Sequence, residues 1–170
     1  MADVMRKVKD FRADPASIRE FSVDASITVE IGDLMWLNVD DARPASNTAL
    51  WTGGLAGTQG NLAHKFIGVA MSRLESAAAG TVRVATRGVF KFTLTTGTTW
   101  EVGALVAGSR DGSNNYLLDQ EVVVIADSQA NQGLAIGRAT KRETVSKTQI
   151  EFEIVGATAA GGGFRAFLTS

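Results

Sequence analysis

The chemistry that this sequence offers begins with a single histidine. His64 is the only histidine in the chain, and there is no cysteine. A histidine acts as a general base only where the fold places a nucleophile or a carboxylate beside it, and the adjacent Ala63 and Lys65 supply neither. We therefore predict that His64 is a surface or structural residue and that the protein is not an enzyme.

Two acidic stretches come nearest to a metal site. Asp40 and Asp41 are adjacent, and residues 111–121 (DGSNNYLLDQE) loosely resemble a calcium-binding loop. That segment lacks the ligand spacing of a calcium loop, and a transition-metal site without cysteine would need an unusual carboxylate cluster. The glycine-rich residues 53–60 (GGLAGTQG) lack the Lys-Ser/Thr of a phosphate loop and indicate an ordered surface loop. We predict no metal and no cofactor.

Charged side chains on predicted strands leave two alternatives open. Glu151 and Glu153 share one strand face, and paired carboxylates are the groups that hydrolyse glycosides. The favoured interpretation is ion pairing with Arg83 or Lys91 on a neighbouring strand, worth about 0.2–1 kcal/mol per pair. Arg83, Arg87 and Lys91 form a basic stripe that suits an acidic partner surface. Nucleic acid is disfavoured because the net charge is −1.

The elements that carry these side chains are strands. In residues 80–103 (GTVRVATRGVFKFTLTTGTTWEVG) apolar and polar residues alternate. The apolar positions are Val82, Val84, Phe90, Phe92 and Leu94. Because successive side chains of a strand point to opposite faces, this phase predicts one buried and one solvated face. We predict two strands, or one bent strand with Gly88 at the bend or bulge.

The same alternation recurs along the chain and predicts an all-β fold, a small barrel or sandwich of about nine or ten short strands. Residues 40–61 are expected to form a long loop, and residues 61–65 a helical turn before a strand. The similar segments 66–73 (FIGVAMSR) and 135–142 (AIGRATKR) suggest two strands of the same barrel, with Gly68 and Gly137 closely packed.

Composition sets the domain organisation. The chain has 170 residues, of which 45% are hydrophobic and 21% charged, as in a folded domain. We predict an N-terminal arm (1–20), a β domain (21–156) and a flexible, glycine-rich tail (157–170). No apolar run approaches a transmembrane helix, and the first residues lack a signal-peptide core. We therefore expect synthesis in the cytoplasm and no association with a membrane.

Aromatic residues in the arm, the tail and the long loop predict contacts with other proteins, because a monomer would struggle to bury them and aromatics dominate interface hot spots. The alternative is that they fold back on their own domain. The residues that we predict for the partner surface are Phe11, Phe21, Trp36, Trp51, Leu55, Arg83, Arg87, Lys91, Phe164 and Phe167.

Several segments also resemble a known family. They are residues 66–70 (FIGVA), 80–84 (GTVRV), 87–90 (RGVF), 100–106 (WEVGALV) and 135–139 (AIGRA). With them, about residues 20–155 resemble the small, β-rich capsid-associated proteins of tailed bacteriophages and prophages that are called decoration, cement or capsid-fibre proteins. The resemblance leaves out the arm and the tail, and its motifs are structural.

The resemblance implies a structural virion protein on the outer capsid surface, which binds the major capsid protein and stiffens the shell against the pressure of the packaged DNA. It implies no active-site residues. Symmetry predicts that such a protein is a homotrimer or homodimer at a local axis. The alternative is a fibre or carbohydrate-binding β-module for surface attachment, which predicts exposed aromatics on a concave platform.

Overall fold

The computed structural model describes residues 17–75, 79–112 and 116–155. Phe11, Phe164 and Phe167, with most of the predicted arm and the whole predicted tail, lie outside the described residues. The strands are β1 (Ile18–Val23), β2 (Leu34–Asn38), β3 (Asp41–Pro44), β4 (Phe66–Ala70), β5 (Gly80–Ala85), β6 (Arg87–Trp100), β7 (Leu105–Arg110), β8 (Leu117–Ile125), β9 (Gly137–Ala139) and β10 (Glu143–Val155). The helices are a 3-10 helix (Thr48–Leu50), α1 (Leu55–Lys65) and α2 (Gln129–Gln132). The prediction of an all-β fold is confirmed.

The ten strands divide between an open sheet and a barrel. The first five form a sheet in the order β1-β5-β4-β2-β3, and the last five close into a barrel in the order β10-β6-β8-β7-β9. All pairings are antiparallel except that of β6 with β8. The fold therefore combines a small barrel with an open sheet.

Two apolar clusters hold these parts together. The barrel cluster contains Phe90, Phe92 and Phe152 from the barrel and also Leu34 and Trp36 from β2 of the sheet. The second cluster lies within the sheet and consists of Val23, Val29, Met35, Ala42, Ile67, Ala70, Val82 and Val84. Strand β2 supplies alternate residues to the two clusters, so both of its faces are covered, and its sequence is a continuous apolar run for that reason.

The chain passes from the sheet to the barrel at Thr86. Val82 and Val84 lie in the second cluster, whereas Phe90 belongs to the barrel cluster, so the predicted alternation is confirmed. The break between the strands falls at Thr86, and Gly88 lies within β6 with φ +144°. The backbone N–H of Thr86 (2.9 Å) and its hydroxyl (2.8 Å) both donate to the carbonyl oxygen of Ser17. This pair of hydrogen bonds fixes the crossover.

Both ends of the described chain lie beside this crossover. The hydroxyl of Ser17 donates to the carbonyl oxygen of Arg87 at 3.2 Å, and Val155 stands opposite Arg87 in the β10–β6 register. Strand β1 begins at Ile18, inside the predicted arm of residues 1–20. The charges of Arg19 and Glu20 hid this strand from the sequence pattern, because an edge strand can present charged side chains to solvent.

The predicted long loop at 40–61 is wrong, since this segment contains β3, the 3-10 helix and the start of α1. Gly57 and Gly60 lower the helix propensity of α1, but packing overrides propensity. Leu62 is buried, and the side-chain amide of Gln59 donates to the carbonyl oxygen of Gly108 on β7 at 2.8 Å. The helical turn predicted before β4 is confirmed. Among the described residues, no helix is long and apolar enough to span a membrane.

The two glycines of the similar segments are closely packed, as predicted. A Cβ on Gly68 would collide with the carbonyl oxygen of Ala85, and one on Gly137 would lie 2.6 Å from the Phe152 ring. They nevertheless occupy different parts of the fold. Gly68 lies in the open sheet and Gly137 in the barrel, so the prediction of a shared barrel is wrong.

Candidate functional site

Trp36 lies in the core of its own chain. Its side chain is fully buried, and its indole N–H donates to the carbonyl oxygen of Pro44 at 2.9 Å. The Lys65 ammonium lies 5.3 Å from the Trp36 ring centroid. We therefore correct the sequence-based assignment and remove Trp36 from the partner surface. Phe21 is half-buried against the second cluster, which gives it a packing role in the sheet.

Trp51 and Leu55 lie on the surface at the start of α1. Leu55 is 37% exposed and Trp51 is half-buried. The guanidinium carbon of Arg110, the last residue of β7, lies 5.5 Å from the centroid of the Trp51 ring. Such a cation–π contact is worth about 0.5–1 kcal/mol at an exposed site. The contact orients the indole and joins this surface to the barrel.

The backbone around Trp51 is well fixed. The Asn47 side chain accepts from the N–H of Ala49 at 3.1 Å and caps the 3-10 helix, and the N–H of Trp51 donates to the carbonyl oxygen of Thr48 at 3.1 Å. The N–H of Thr52 donates to the hydroxyl of Thr58 at 3.2 Å. These bonds hold Trp51 in place and reduce the entropy that a partner's binding would cost.

Tyr116 lies at the same end of the β7–β8 hairpin. Arg110 stands opposite Leu117 in the register, and the N–H of Asp111 donates to the carbonyl oxygen of Tyr116 at 3.1 Å. We call Trp51, Leu55, Arg110 and Tyr116 the Trp51 surface. Tryptophan, tyrosine and arginine are the residues most enriched among interface hot spots. The sequence pattern missed Arg110, because only the fold brings it to the Trp51 ring. It also missed Tyr116, which the hairpin places against Asp111, the residue after Arg110.

The predicted basic stripe is divided. Arg83 is exposed on β5 of the sheet, whereas Arg87 and Lys91 lie on β6 of the barrel. The division arises because the chain changes sheets at Thr86. Lys91 stands opposite Glu151 on β10, the neighbour that the cross-strand prediction required.

Lys91 lines a cavity of about 320 Å³ between β6 and β10, which we call the lysine pocket. The other residues that line it are Trp100, Lys141, Glu143, Lys147, Thr148, Gln149 and Glu151. The Glu151 carboxylate lies 3.1 Å from the Lys141 Nζ and accepts from the Thr140 hydroxyl at 3.1 Å. Burial alone would raise the pKa of Glu151, but these hydrogen bonds and the charges of Lys141 and Lys91 hold it below its usual value.

Two carboxylates, the buried Asp33 and the half-buried Asp119, join the sheet to the barrel. Asp33 accepts from the N–H of Glu30 and from the side-chain amide of Gln120, both at 2.8 Å. Asp119 accepts from the N–H of Ser46 at 2.6 Å. Burial, aided by the charge of Asp119, raises the pKa of Asp33 to about 7, and burial also raises the pKa of Asp119. We call the group formed by Asp33, Gln120, Asp119 and Ser46 the acidic seam.

The remaining candidate for chemistry is His64. It is exposed in the last turn of α1, which agrees with the prediction of a surface residue. Within the part of the chain that the structure describes, no three histidine or carboxylate side chains come together as metal ligands.

A comparison with protein families supplies the context for these surfaces. The family model described as phage cement protein matches residues 25–154. No curated protein matches the chain. The matched residues extend from the segment after β1 to the penultimate residue of β10, so they include the Trp51 surface, the lysine pocket and the acidic seam.

Proposed function

We propose that this chain, which belongs to the phage cement protein family, binds the outer surface of a phage capsid and stabilises the shell by bridging neighbouring copies of the major capsid protein. Family membership gives a structural role in association with the capsid. The Trp51 surface is the observation that supports direct attachment, and we propose that the protein performs this role without catalysis.

The chemistry of the Trp51 surface suits a protein partner. An indole fixed by a guanidinium combines a large apolar area with charge, and the backbone hydrogen bonds around it keep both in place. Burying such a group against a partner removes apolar area from water with little loss of side-chain freedom. We therefore propose that Trp51, Leu55 and Arg110 contact the major capsid protein.

The carbohydrate-binding alternative has less support. It predicts an exposed aromatic platform in a concave site, but Trp100, the aromatic residue that lines the lysine pocket, is only 7% exposed. Its indole N–H is already used, because it donates to the carbonyl oxygen of Lys141 at 3.0 Å. Trp100 therefore lines the pocket without presenting its ring face for stacking against a sugar.

We also propose that the protein acts as a homotrimer or homodimer placed at a local symmetry axis of the shell. Several linked copies raise the strength of attachment far beyond that of one contact, because the second and later binding events are intramolecular. The molar mass of the purified protein, measured by light scattering, tests this state. A monomeric mass at the concentrations that decorate shells would contradict it.

Trp51→Ala is expected to weaken attachment to capsid shells by about 30-fold, because a tryptophan at the centre of an interface typically contributes about 2 kcal/mol or more. The measurement is co-sedimentation of the purified protein with undecorated shells over a range of concentrations. Val102→Ala is the control, since Val102 is an exposed apolar residue (66%) at another place on the surface. Equal saturation curves for Trp51→Ala and the wild type would refute the assignment of the Trp51 surface.

Removal of residues 1–16 is expected to leave the fold intact and to lower the occupancy of the shell. The truncation spares Ser17, whose carbonyl oxygen fixes Thr86, and the whole of β1. Thermal unfolding checks the fold, and co-sedimentation checks attachment. Unchanged occupancy at equal protein concentration would show that the arm has no part in binding.

A further inference from the structure

The lysine pocket lies where the ladder between β6 and β10 opens. Lys147 stands opposite Thr98, and the register shifts on both sides of this pair. The neighbouring pairs are Glu143 with Trp100 and Gln149 with Thr93. Strand β10 carries the extra residues between Glu143 and Lys147, and β6 carries them between Thr93 and Thr98. Bulges of this kind redirect side chains and occur beside binding sites. Here they leave a cavity of about 320 Å³ beside Lys147.

The charges of the pocket favour an anion. Lys91, Lys141 and Lys147 face two carboxylates, Glu143 and Glu151, which leaves a net charge of +1 among the lining residues. Glu151 is engaged by Lys141 and by the Thr140 hydroxyl. Lys147 makes no ion pair with any residue that the structure describes, and its side chain is exposed. The pocket therefore offers an ammonium group to an incoming anion.

We infer that the lysine pocket receives a carboxylate side chain from an acidic segment of the capsid protein, an inference that rests on the proposed function. A single surplus charge matches one carboxylate. A nucleic acid would require a broad basic surface, which a chain of net charge −1 does not provide. Thr148 and Gln149 add hydrogen-bonding groups to the rim, which suit a peptide backbone beside the bound side chain.

In the first test, the isotope-labelled protein is titrated with a capped tetraglutamate peptide and, separately, with its tetraglutamine counterpart. NMR spectra recorded during each titration report which residues bind. The glutamate peptide is expected to shift the signals of residues that line the pocket, and the glutamine peptide is not. Lys147→Gln is expected to weaken the binding of the glutamate peptide about tenfold, as loss of one charge-assisted contact does. Arg73→Gln is the control, because it removes an exposed cation from the segment between β4 and β5 in the open sheet, outside the pocket.

The second test is attachment to undecorated shells by Lys147→Gln and by Arg73→Gln. Weaker attachment of Lys147→Gln alone supports the inference. Equal binding of the two peptides, or equal affinity of Lys147→Gln and the wild type for the glutamate peptide, overturns the pocket as an acid site. If the pocket binds the glutamate peptide but Lys147→Gln attaches to shells as tightly as the wild type does, the capsid protein is not the source of the carboxylate. Failure of the wild type to bind any shell instead contradicts the proposed function.

Discussion

Gly68→Ala is expected to lower the free energy of unfolding by about 3 kcal/mol or more. Gly68 has φ +143°, a conformation that costs an alanine about 1–3 kcal/mol. The new methyl group would also collide with the carbonyl oxygen of Ala85 and would lie 2.8 Å from its carbonyl carbon and 3.0 Å from Val84 Cγ1. Overpacking of this kind adds about 1–3 kcal/mol. The two costs act together, because the obstacle is the backbone of the adjacent strand.

Urea denaturation of the wild type and of Gly68→Ala measures this loss. Gly133→Ala is the matched control, since no heavy atom lies within 4 Å of the position that its Cβ would take and its φ is −73°. The control is expected to change stability by less than about 1 kcal/mol. A Gly68→Ala protein as stable as the control would show that β4 and β5 are not as closely packed as the structure has them.

The second large effect is a loss of stability as the pH rises from about 4 to about 7, caused by Asp33. In the unfolded chain its carboxyl group ionises near 3.8, whereas burial in the acidic seam raises the pKa to about 7 in the folded protein. Between these values the folded protein binds more protons than the unfolded chain, so each rise in pH favours unfolding. A shift of about three units corresponds to about 4 kcal/mol, present below pH 4 and lost near pH 7.

Asp33→Asn isolates this contribution. The asparagine oxygen can accept from the N–H of Glu30, and the Gln120 amide can rotate to accept from the new amide group. The variant is expected to be more stable than the wild type at pH 8 and to lose most of the dependence on pH. Unfolding by urea at pH 4 to 8 measures both effects. Glu153→Gln, which neutralises an exposed carboxylate on β10, is the control. Parallel pH curves for Asp33→Asn and the wild type would refute this assignment.

The strands could be predicted because their pattern is local. Phe90, Phe92 and Leu94 alternate with polar residues, and each is buried in the barrel cluster. The division of the fold was not predicted. The alternation from Val82 to Leu94 indicates which side of a strand is buried. It does not show that residues before Thr86 pack in the second cluster and residues after it in the barrel cluster. That change depends on Ser17, a residue remote in sequence.

The candidate surfaces were predicted only in part, for a related reason. Trp51 and Leu55 stand out because large apolar residues among glycines are unusual, and both reach the surface. Trp36 is also a tryptophan, but it lies on β2, which is covered on both faces, and its side chain is fully buried. The residues around Asp33 give no sign of Gln120, whose side-chain amide reaches the Asp33 carboxylate from the barrel. Arg110 and Lys147 have ordinary sequence neighbours, and only the barrel gives them their partners and positions.

The contacts at the crossover determine how a mechanical load would pass through the protein. Ser17 and Val155, where the described chain starts and stops, both adjoin Arg87. Tension applied between Ser17 and Val155 would load the few hydrogen bonds at this point first, before the rest of the β1–β5 and β10–β6 ladders. For the same reason, a shortened chain that begins at Ser17 and stops at Val155 would display a peptide or domain fused to either end from the same spot.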